Sequence, residues 1–312
     1  MNTVTLGRTG LRVSVMGLGC GGYSCLGLRT HGEERALAVV RSAVEAGVNI
    51  LDTAENYRNE HVVGRALAEL GRDSLVVATK TSPRKEGGPK SAADLRAALE
   101  GSLRRLGTDT IDVYFLHGVQ PKEYDHAAAE LVPELERQRR LGKVRWIGAT
   151  EAFGPDPDHG MLRRALADDW CDVAMVGFNV LNQTARTLVF PTTRARNVGT
   201  LIMMAVRHAM CRPARLREVM AELIAKGAVD PAAVDPEDAL GFLVYPGGAA
   251  SVMDGAYRFA RFEPGADVVL SGTGSVDHLT ENLATFSRGP LPEADVERLK
   301  TIFGSVDCTF GD

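Results

Sequence analysis

The chain has 312 residues, of which 45% are hydrophobic and 24% are charged. These proportions are typical of globular proteins, and they exclude an intrinsically disordered chain or a fibrous repeat. The formal net charge of −4 argues against a broad nucleic-acid-binding surface, and a chain of this length can form two domains or one large barrel.

Short β-rich runs alternate with amphipathic helical patterns along the chain. Eight such runs begin near Ser14, Val48, Leu75, Ile111, Val144, Val173, Thr200 and Val268. The first seven begin roughly 30 residues apart, which is the length of a strand followed by a returning helix. A longer segment, residues 207–262, has helical patterns of its own and separates the last two runs. Residues before the first run, around Gly7–Gly10, predict a short hairpin.

One helix can be predicted from its capping residues. Ser91, with Asp94 three positions later, forms a capping-box pattern in which each side chain satisfies a free backbone amide. Leucines then recur every three or four residues from Leu95 to Leu106, and they form one apolar stripe. A glycine, Gly107, follows where a left-handed residue would end the helix. This pattern predicts a helix that packs one face against a sheet.

The order of elements predicts an α/β fold of one domain over residues 1–312. Eight strand–helix units without a Pro-rich or Ser-rich linker match a (β/α)8 TIM barrel, with an N-terminal hairpin and a helical insertion between strands 7 and 8. The competing fold is an open doubly wound sheet, because residues 17–22 (GLGCGG) match the G-x-G-x-x-G pattern. That motif requires a helix that begins at once, and no helical pattern begins before about Glu33.

Cysteine usage and the opening residues indicate a cellular compartment. The five cysteines, which form no C-x-x-C pair, are Cys20, Cys25, Cys171, Cys211 and Cys308. We expect free thiols, a reducing compartment and no metal site. The opening residues lack the apolar segment of a signal peptide, and no apolar run is long enough for a membrane span. The sequence therefore predicts a cytoplasmic protein with no membrane or nucleic-acid partner.

Four ionisable side chains follow consecutive predicted strands. Asp52 ends the second strand and Tyr57 lies in the next loop, while Lys80 and His117 end the third and fourth strands. Taken singly, each has an ordinary structural explanation. Asp52 could cap the following helix and Lys80 could be a solvated strand end. His117 could be a buried core histidine, and Tyr57 could pack within its loop. Because the active sites of such barrels lie at the carboxyl ends of the strands, the four together predict a catalytic site.

These residue types suggest proton transfer to a carbonyl oxygen. A free tyrosine has a pKa near 10, which is too high for acid–base catalysis at neutral pH. An ammonium beside the phenol of Tyr57 favours the phenolate, and Asp52 would keep Lys80 charged. His117 would orient the substrate or assist the transfer. A strong nucleophile and a metal cluster are both missing from this set, so we expect a nicotinamide cofactor to supply hydride.

The sequence resembles the aldo-keto reductases over nearly its whole length. The resemblance rests on LGRTGLRVSVMGLG, LDTAENY, VVATK, IDVYFLHG, GKVRWIGAT and SGTGSVDHLTEN. It implies a (β/α)8 barrel, NADP or NAD as cofactor, and reversible reduction of an aldehyde or ketone with Tyr57 as general acid or base. The family's catalytic set is matched in order by Asp52, Tyr57, Lys80 and His117. Tyr23, Tyr57 and His117 are the expected substrate contacts.

The resemblance also implies cofactor contacts, and several positions depart from the family pattern. Thr150 and Glu151 stand where the family often has Ser-Asn. Met175 replaces a common glutamine, and Met204 lies where a tyrosine often stacks on the nicotinamide. We expect these residues to border the nicotinamide.

A phosphate-binding segment is expected after the eighth strand. Its backbone amides and hydroxyls belong to Ser271, Gly272, Thr273, Gly274 and Ser275, and a helix begins near Val276. Gly272 and His278 stand where NADP-dependent members usually carry Lys and Arg, while Glu281 and Asn282 match the family's adenine-side pair. Because the two cations are missing, both NAD and NADP stay open, as does the oligomeric state.

Two alternatives to a reductase remain on the same fold. One is a nucleotide-binding regulatory subunit, which the departures at Thr150, Glu151 and Met175 would suit. The other is a cofactor-retaining epimerase or lyase that oxidises its substrate transiently. The expected partner is a small carbonyl or alcohol compound as substrate, whereas the regulatory subunit would hold the nucleotide and turn over poorly.

Overall fold

Eight parallel strands close into a barrel in the computed structural model, which describes residues 1–308. The twelve strands of the described chain are β1 (Thr3–Thr5), β2 (Arg12–Ser14), β3 (Met16–Gly19), β4 (Ile50–Asp52), β5 (Val76–Thr81), β6 (Arg84–Lys85), β7 (Gly88–Pro89), β8 (Ile111–Val119), β9 (Val144–Glu151), β10 (Val173–Gly177), β11 (Gly199–Met203) and β12 (Val268–Ser271). The barrel follows the order β3-β4-β5-β8-β9-β10-β11-β12 and closes by pairing β12 with β3. The predicted (β/α)8 barrel is thereby confirmed.

Helices surround the barrel and connect its strands. They are α1 (Leu28–Glu45), α2 (Glu60–Leu70), α3 (Ala92–Leu106), α4 (Tyr124–His126), α5 (Val132–Arg140), α6 (Gly160–Ala167), α7 (Ala185–Leu188), α8 (Phe190–Ala195), α9 (Pro213–Ala225), α10 (Val252–Arg261), α11 (Val276–Phe286) and α12 (Glu293–Phe303). A π-helical turn, Ala127–Leu131, joins α4 to α5. Within residues 1–308, no helix combines the length and apolarity needed to cross a bilayer.

The predicted caps of α3 are present in the structure. Ser91 accepts a hydrogen bond from the amide of Asp94, whose carboxylate accepts one in return from the Ser91 amide. Gly107 ends the helix in the left-handed region with a φ of 64°. The helix therefore begins and ends where its sequence signals place it.

Two antiparallel hairpins lie at opposite ends of the barrel. The first, β1–β2, contributes Leu6, Leu11 and Val13 to the apolar cluster inside the barrel, so it closes the amino end. The second, β6–β7, follows β5 at the carboxyl end. With the amino end filled by apolar side chains, the carboxyl end is the open mouth.

Alternate residues of each strand face the interior and the surrounding helices, as the two-residue period of a strand requires. On β8, Val113 and Phe115 belong to the interior cluster, while Tyr114 and Leu116 pack in the layer between barrel and helices. This alternation decides which side chains reach the mouth of the barrel.

The glycine-rich segment after β3 does not lead directly into a regular helix. Gly32 interrupts α1 with a φ of 79° and a ψ of 179°, so continuous helix begins only after it. This agrees with the choice of a barrel over an open dinucleotide-binding sheet. The segment between β11 and β12 contains α9 and α10. The expected single domain includes residues 309–312, which lie outside the described part of the chain.

Candidate active site

Three of the four predicted catalytic residues continue the interior rows of their strands. Asp52 on β4, Lys80 on β5 and His117 on β8 each stand two positions after a residue of the interior apolar cluster. Their side chains therefore point into the mouth of the barrel. Tyr57 joins them from a short 3-10 turn, Glu55–Tyr57, which follows β4.

Lys80 and Asp52 form a buried ion pair. The lysine Nζ lies 2.6 Å from Oδ1 of Asp52 and donates a second hydrogen bond, 2.7 Å long, to the carbonyl oxygen of Thr53. The two side chains are almost completely buried. Burial disfavours the charged ammonium, but the charge and hydrogen bond of Asp52, together with the neighbouring Tyr57 and Cys20, outweigh it, and the pKa of Lys80 is raised. Lys80 therefore remains charged and held in one position.

The phenol ring of Tyr57 lies beside both the lysine and the histidine. Lys80 Nζ is 5.0 Å from the centroid of the Tyr57 ring, and the His117 ring meets that ring edge-on at 5.7 Å. Burial raises the pKa of Tyr57, and the charge of Lys80 opposes this rise only in part. The lysine therefore acts in the predicted direction, yet burial dominates and the phenol keeps its proton at neutral pH.

His117 is a neutral imidazole at the mouth of the barrel. Burial, together with the charges of Lys80 and Arg84, lowers the pKa of His117 to about 3. Among residues 1–308, neither ring nitrogen has a hydrogen-bond partner. A neutral ring with a free N–H can donate a hydrogen bond to a carbonyl oxygen while its charge stays constant across the physiological pH range.

Thr150 and Glu151 face opposite sides of β9. Thr150 lies two and four positions after Gly148 and Trp146, in the row that lines the interior, and its Oγ1 accepts a hydrogen bond from the amide of Gly118 at 2.7 Å. Glu151 belongs to the alternate row, which faces the helices. Of the two residues, Thr150 is the one that points towards the interior of the barrel.

Both carboxylate oxygens of Glu151 are engaged within the protein. One accepts a hydrogen bond from the amide of Gly177 on β10, and the other lies 2.7 Å from Nδ1 of the fully buried His159. The second ring nitrogen of His159 lies 2.9 Å from the hydroxyl of Thr184. These hydrogen bonds connect β9, β10 and the residue before α6, and the cofactor contact expected of Glu151 stays a prediction.

The two methionines expected near the nicotinamide have different surroundings. Met175 is buried in the interior cluster and pairs in register with Thr150 on the neighbouring strand. Met204 follows β11 in a left-handed conformation, with a φ of 61°, and is 40% exposed. Met175 therefore lines the wall of the barrel, while Met204 lies at its rim.

The segment from Ser271 to Ser275 passes close to the loop after β3. A Cβ atom added to Gly272 would lie 2.8 Å from the carbonyl oxygen of Gly19, and one added to Gly274 would lie 2.7 Å from the amide nitrogen of Gly27. Only glycine permits these approaches. The segment also stands before α11, whose N-cap Ser275 leaves the first turn without a side-chain cap.

Polar side chains surround this segment. Ser271 Oγ lies 3.0 Å from the hydroxyl of Tyr257 and accepts a hydrogen bond from Asn282 at 2.9 Å, while Thr273 Oγ1 accepts one from the amide of Ser275. The remaining expected cofactor contacts, His278 and Glu281, are exposed on α11. Backbone amides, hydroxyls and a helix N-terminus together form a surface suited to phosphate groups.

Tyr23, an expected substrate contact, lies at the outer edge of the mouth. It is 87% exposed, and its ring stacks on that of His208 at 5.4 Å. The two rings come from the loop after β3 and from the segment after β11. Tyr23 therefore lies in the solvent-exposed outer layer of the site, whereas Asp52 and Lys80 are buried.

Two residues beside Tyr57 were not among the predicted site residues. A Cβ atom on Gly21 would overlap the Tyr57 ring, and the buried side chain of Asn59 bonds to the loops on both sides of it. Asn59 precedes a helix, so the sequence alone suggests an ordinary helix cap.

The chain belongs to the aldo/keto reductase family, whose sequence model matches residues 16–303. The suspected resemblance is thereby confirmed. Among characterised proteins, the chain is similar to L-galactose dehydrogenase from Arabidopsis thaliana, with 35% identity over 150 residues. That alignment covers 46% of this chain and 47% of the relative, so it spans about half the length of each.

Solved aldo-keto reductases have the same fold. The holo form of one from Bacillus halodurans superposes with a TM-score of 0.74 at 23% identity, covering 96% of both chains. A second, from Klebsiella pneumoniae in complex with NADP and acetate, superposes with a TM-score of 0.69 at 22% identity, covering 96% of this chain and 95% of that one.

Proposed function

We propose that the protein is an NAD(P)-dependent reductase of an aldehyde or ketone that also oxidises the corresponding alcohol. The observation that carries this proposal is the position of the Tyr57 phenol beside Lys80 and His117, at the open mouth of an aldo/keto reductase barrel. When bound, the nicotinamide cofactor supplies or accepts the hydride. The residues of this chain then have to bind and orient the substrate and the cofactor, and to exchange a proton with the substrate oxygen.

The cofactor site is inferred from two parts of the mouth. The segment from Ser271 to Ser275 and the first turn of α11 fit the phosphates, because backbone amides, hydroxyls and a helix N-terminus without a side-chain cap lie together there. Thr150, Met175 and Met204 would border the nicotinamide. The Klebsiella pneumoniae relative was solved with NADP, which supports a nucleotide of this kind.

Tyr57 is the proposed proton donor to the carbonyl oxygen. Its raised pKa keeps the phenol protonated, as an acid in the reduction direction requires. The charge of Lys80 stabilises the phenolate that remains after transfer, and Asp52 holds the lysine in place. Neutral His117 donates a second hydrogen bond to the same oxygen and so orients the carbonyl group.

The substrate class proposed is a small aldehyde or ketone, with aldoses and their oxidised forms as first candidates. L-galactose dehydrogenase, to which about half of this chain is similar, supports a sugar as the substrate. The exposed ring of Tyr23, which stacks on the half-buried ring of His208 at the mouth, offers a flat surface for such a molecule. We also infer a cytoplasmic location, since all five cysteines are free thiols.

Oxidation of NADPH and of NADH, measured with a panel of aldoses and simple carbonyl compounds, tests the proposal. We expect turnover with at least one member, and fluorescence titration of both nucleotides gives the cofactor preference. Tight nucleotide binding without turnover in either direction would favour the regulatory subunit. Conversion of substrate to an isomer or elimination product without added cofactor would favour the epimerase or lyase.

A further inference from the structure

Asn59 is a completely buried residue at the start of α2 whose side chain does not cap that helix. Its backbone carbonyl accepts the amides of Val62 and Val63, as the first carbonyl of a helix does. Asparagine is favoured at this position because its side-chain oxygen usually accepts a free helix amide. Here the side chain serves another purpose, since it is directed at the loops around the active site.

The side chain of Asn59 joins two loops at the mouth of the barrel. Its Oδ1 accepts a 2.6 Å hydrogen bond from the hydroxyl of Thr53, in the loop after β4. Its Nδ2 donates a 2.6 Å hydrogen bond to the carbonyl oxygen of Cys20 and lies 3.5 Å from Sγ of Cys25, both in the loop after β3. The amide therefore links these loops through both of its ends, with no solvent contact.

The same two loops enclose Tyr57. The Thr53 carbonyl accepts a hydrogen bond from Lys80, so one loop fixes the ammonium beside the phenol. In the other loop, a Cβ atom on Gly21 would lie 2.9 Å from Cδ2 of Tyr57 and still closer to Cε2 and Cζ. Cys25 Sγ also lies 3.5 Å from the Tyr57 carbonyl oxygen. The ring is thus held between surfaces that Asn59 ties together.

We propose that Asn59 is a positioning residue for Tyr57, which holds the loop of Gly21 against the phenol ring and so fixes the proton-donating oxygen. Its effect on turnover rests on the proposed reductase function. A displacement of about 1 Å in an active site can cost on the order of 100-fold in rate, so Asn59→Ala lowers kcat by about 10- to 100-fold. The loop after β3 also packs against the proposed phosphate-binding segment, so kcat is compared with NADPH saturating and the Kd for NADPH is measured separately.

Paired variants separate positioning from folding. Asn49→Ala is the matched control, because Asn49 also bridges two segments but at the amino end, where it accepts the Ser14 amide and donates to the Arg12 carbonyl. Rates are expressed per NADPH-binding site, so that unfolded protein does not count. Asn59→Ala should lose kcat while Asn49→Ala should not. Thr53→Ser, which keeps the hydroxyl, should retain the kcat that Thr53→Val loses.

Titration of the phenol gives a readout without turnover. Tyrosinate absorbance is measured for the wild type and for Asn59→Ala, each minus the same protein carrying Tyr57→Phe. Because burial raises the pKa of Tyr57, release of the covering loop should lower this pKa towards its ordinary value. Should the wild type reduce no carbonyl compound, the proposed function fails, and this titration alone decides the positioning role.

Gly21→Ala tests the same contact if Asn59→Ala does not fold. Gly21 has an ordinary backbone conformation, so alanine adds only the methyl group that displaces the ring. The expected result is again a loss of kcat per nucleotide-binding site. Full kcat in the folded Asn59→Ala or Gly21→Ala protein, an equal loss in Asn49→Ala, or an unchanged Tyr57 pKa would overturn the proposal.

Discussion

The ammonium of Lys80 lies over the Tyr57 ring, 5.0 Å from its centroid, and is held there by Asp52 and the Thr53 carbonyl. This contact lies where the apolar interior of the barrel meets the candidate active site, because Lys80 occupies the last interior-facing position of β5.

Asp52→Ala should destabilise the protein strongly. The substitution leaves the buried ammonium of Lys80 without its counter-ion, and breaking a buried pair in this way costs about 3–5 kcal/mol. Urea unfolding measures the loss. Glu297→Ala is the control, because its pair with Lys300 is exposed and should contribute no more than about 1 kcal/mol. Equal stability losses in the two variants would contradict the assigned role of Asp52.

The pH dependence of reduction should be flat across the neutral range. The raised pKa of Tyr57 keeps the acid protonated, and His117, with a pKa of about 3, is neutral throughout. With NADPH saturating, kcat/KM for the carbonyl compound should stay level from about pH 6 to pH 9 and fall above that range as the phenol ionises.

Oxidation of the alcohol should show the opposite dependence. The phenol must first lose its proton to act as a base, so the rate rises with pH by about tenfold per unit until the pKa of Tyr57 is reached. Initial rates in both directions, in buffers of constant ionic strength, measure the two profiles. A reduction rate that halves between pH 6 and pH 8 would be inconsistent with a buried, protonated phenol.

His117→Phe should lower kcat/KM by about 100-fold, which is the usual loss when one donor to a reacting carbonyl oxygen is removed. His117→Gln retains an N–H donor and should lose less. Because the histidine is neutral, neither substitution should introduce or remove a titration near pH 6.5. Steady-state rates of the two variants measure this difference, and full activity in His117→Phe would exclude contact with the substrate oxygen.

Glu151→Ala should affect stability rather than nucleotide binding. It leaves the Gly177 amide without its acceptor and the buried Nδ1 of His159 without its partner, at a cost of about 1–3 kcal/mol. Glu151→Gln serves as the matched control, because its oxygen can accept from the Gly177 amide and its –NH2 group can donate to Nδ1 of His159. Thermal unfolding and NADPH titration distinguish the two effects. A large loss of NADPH affinity with unchanged stability would instead indicate that Glu151 contacts the cofactor.

The sequence was sufficient to predict the barrel and the strand ends that carry Asp52, Lys80 and His117. The apolar strands recur at the spacing of strand–helix units, and the chemistry of such a barrel lies at one end. The capping residues Ser91 and Gly107 likewise act locally, so the two ends of α3 can be predicted without knowledge of distant contacts.

The remaining features depend on contacts that are distant in sequence. Thr150 and Glu151 were grouped as neighbours, although strand alternation sends them to opposite faces of β9. Asn59 has the sequence position of a helix cap, and the carbonyl to which its side chain donates, that of Cys20, is 39 residues away. The pKa of Tyr57 is set by burial more than by Lys80, and burial follows only from the packed structure.

The most direct test of the account is the single-turnover reduction of a carbonyl substrate, with saturating NADPH, by the wild type and by Tyr57→Phe. Tyr124→Phe is the control, because it also removes a hydroxyl, one that donates to Asp168 away from the mouth. We predict a loss of at least about 100-fold in Tyr57→Phe, the usual contribution of a general acid, and a rate close to wild type in Tyr124→Phe. Retention of the full rate in Tyr57→Phe would contradict the role of this phenol as proton donor.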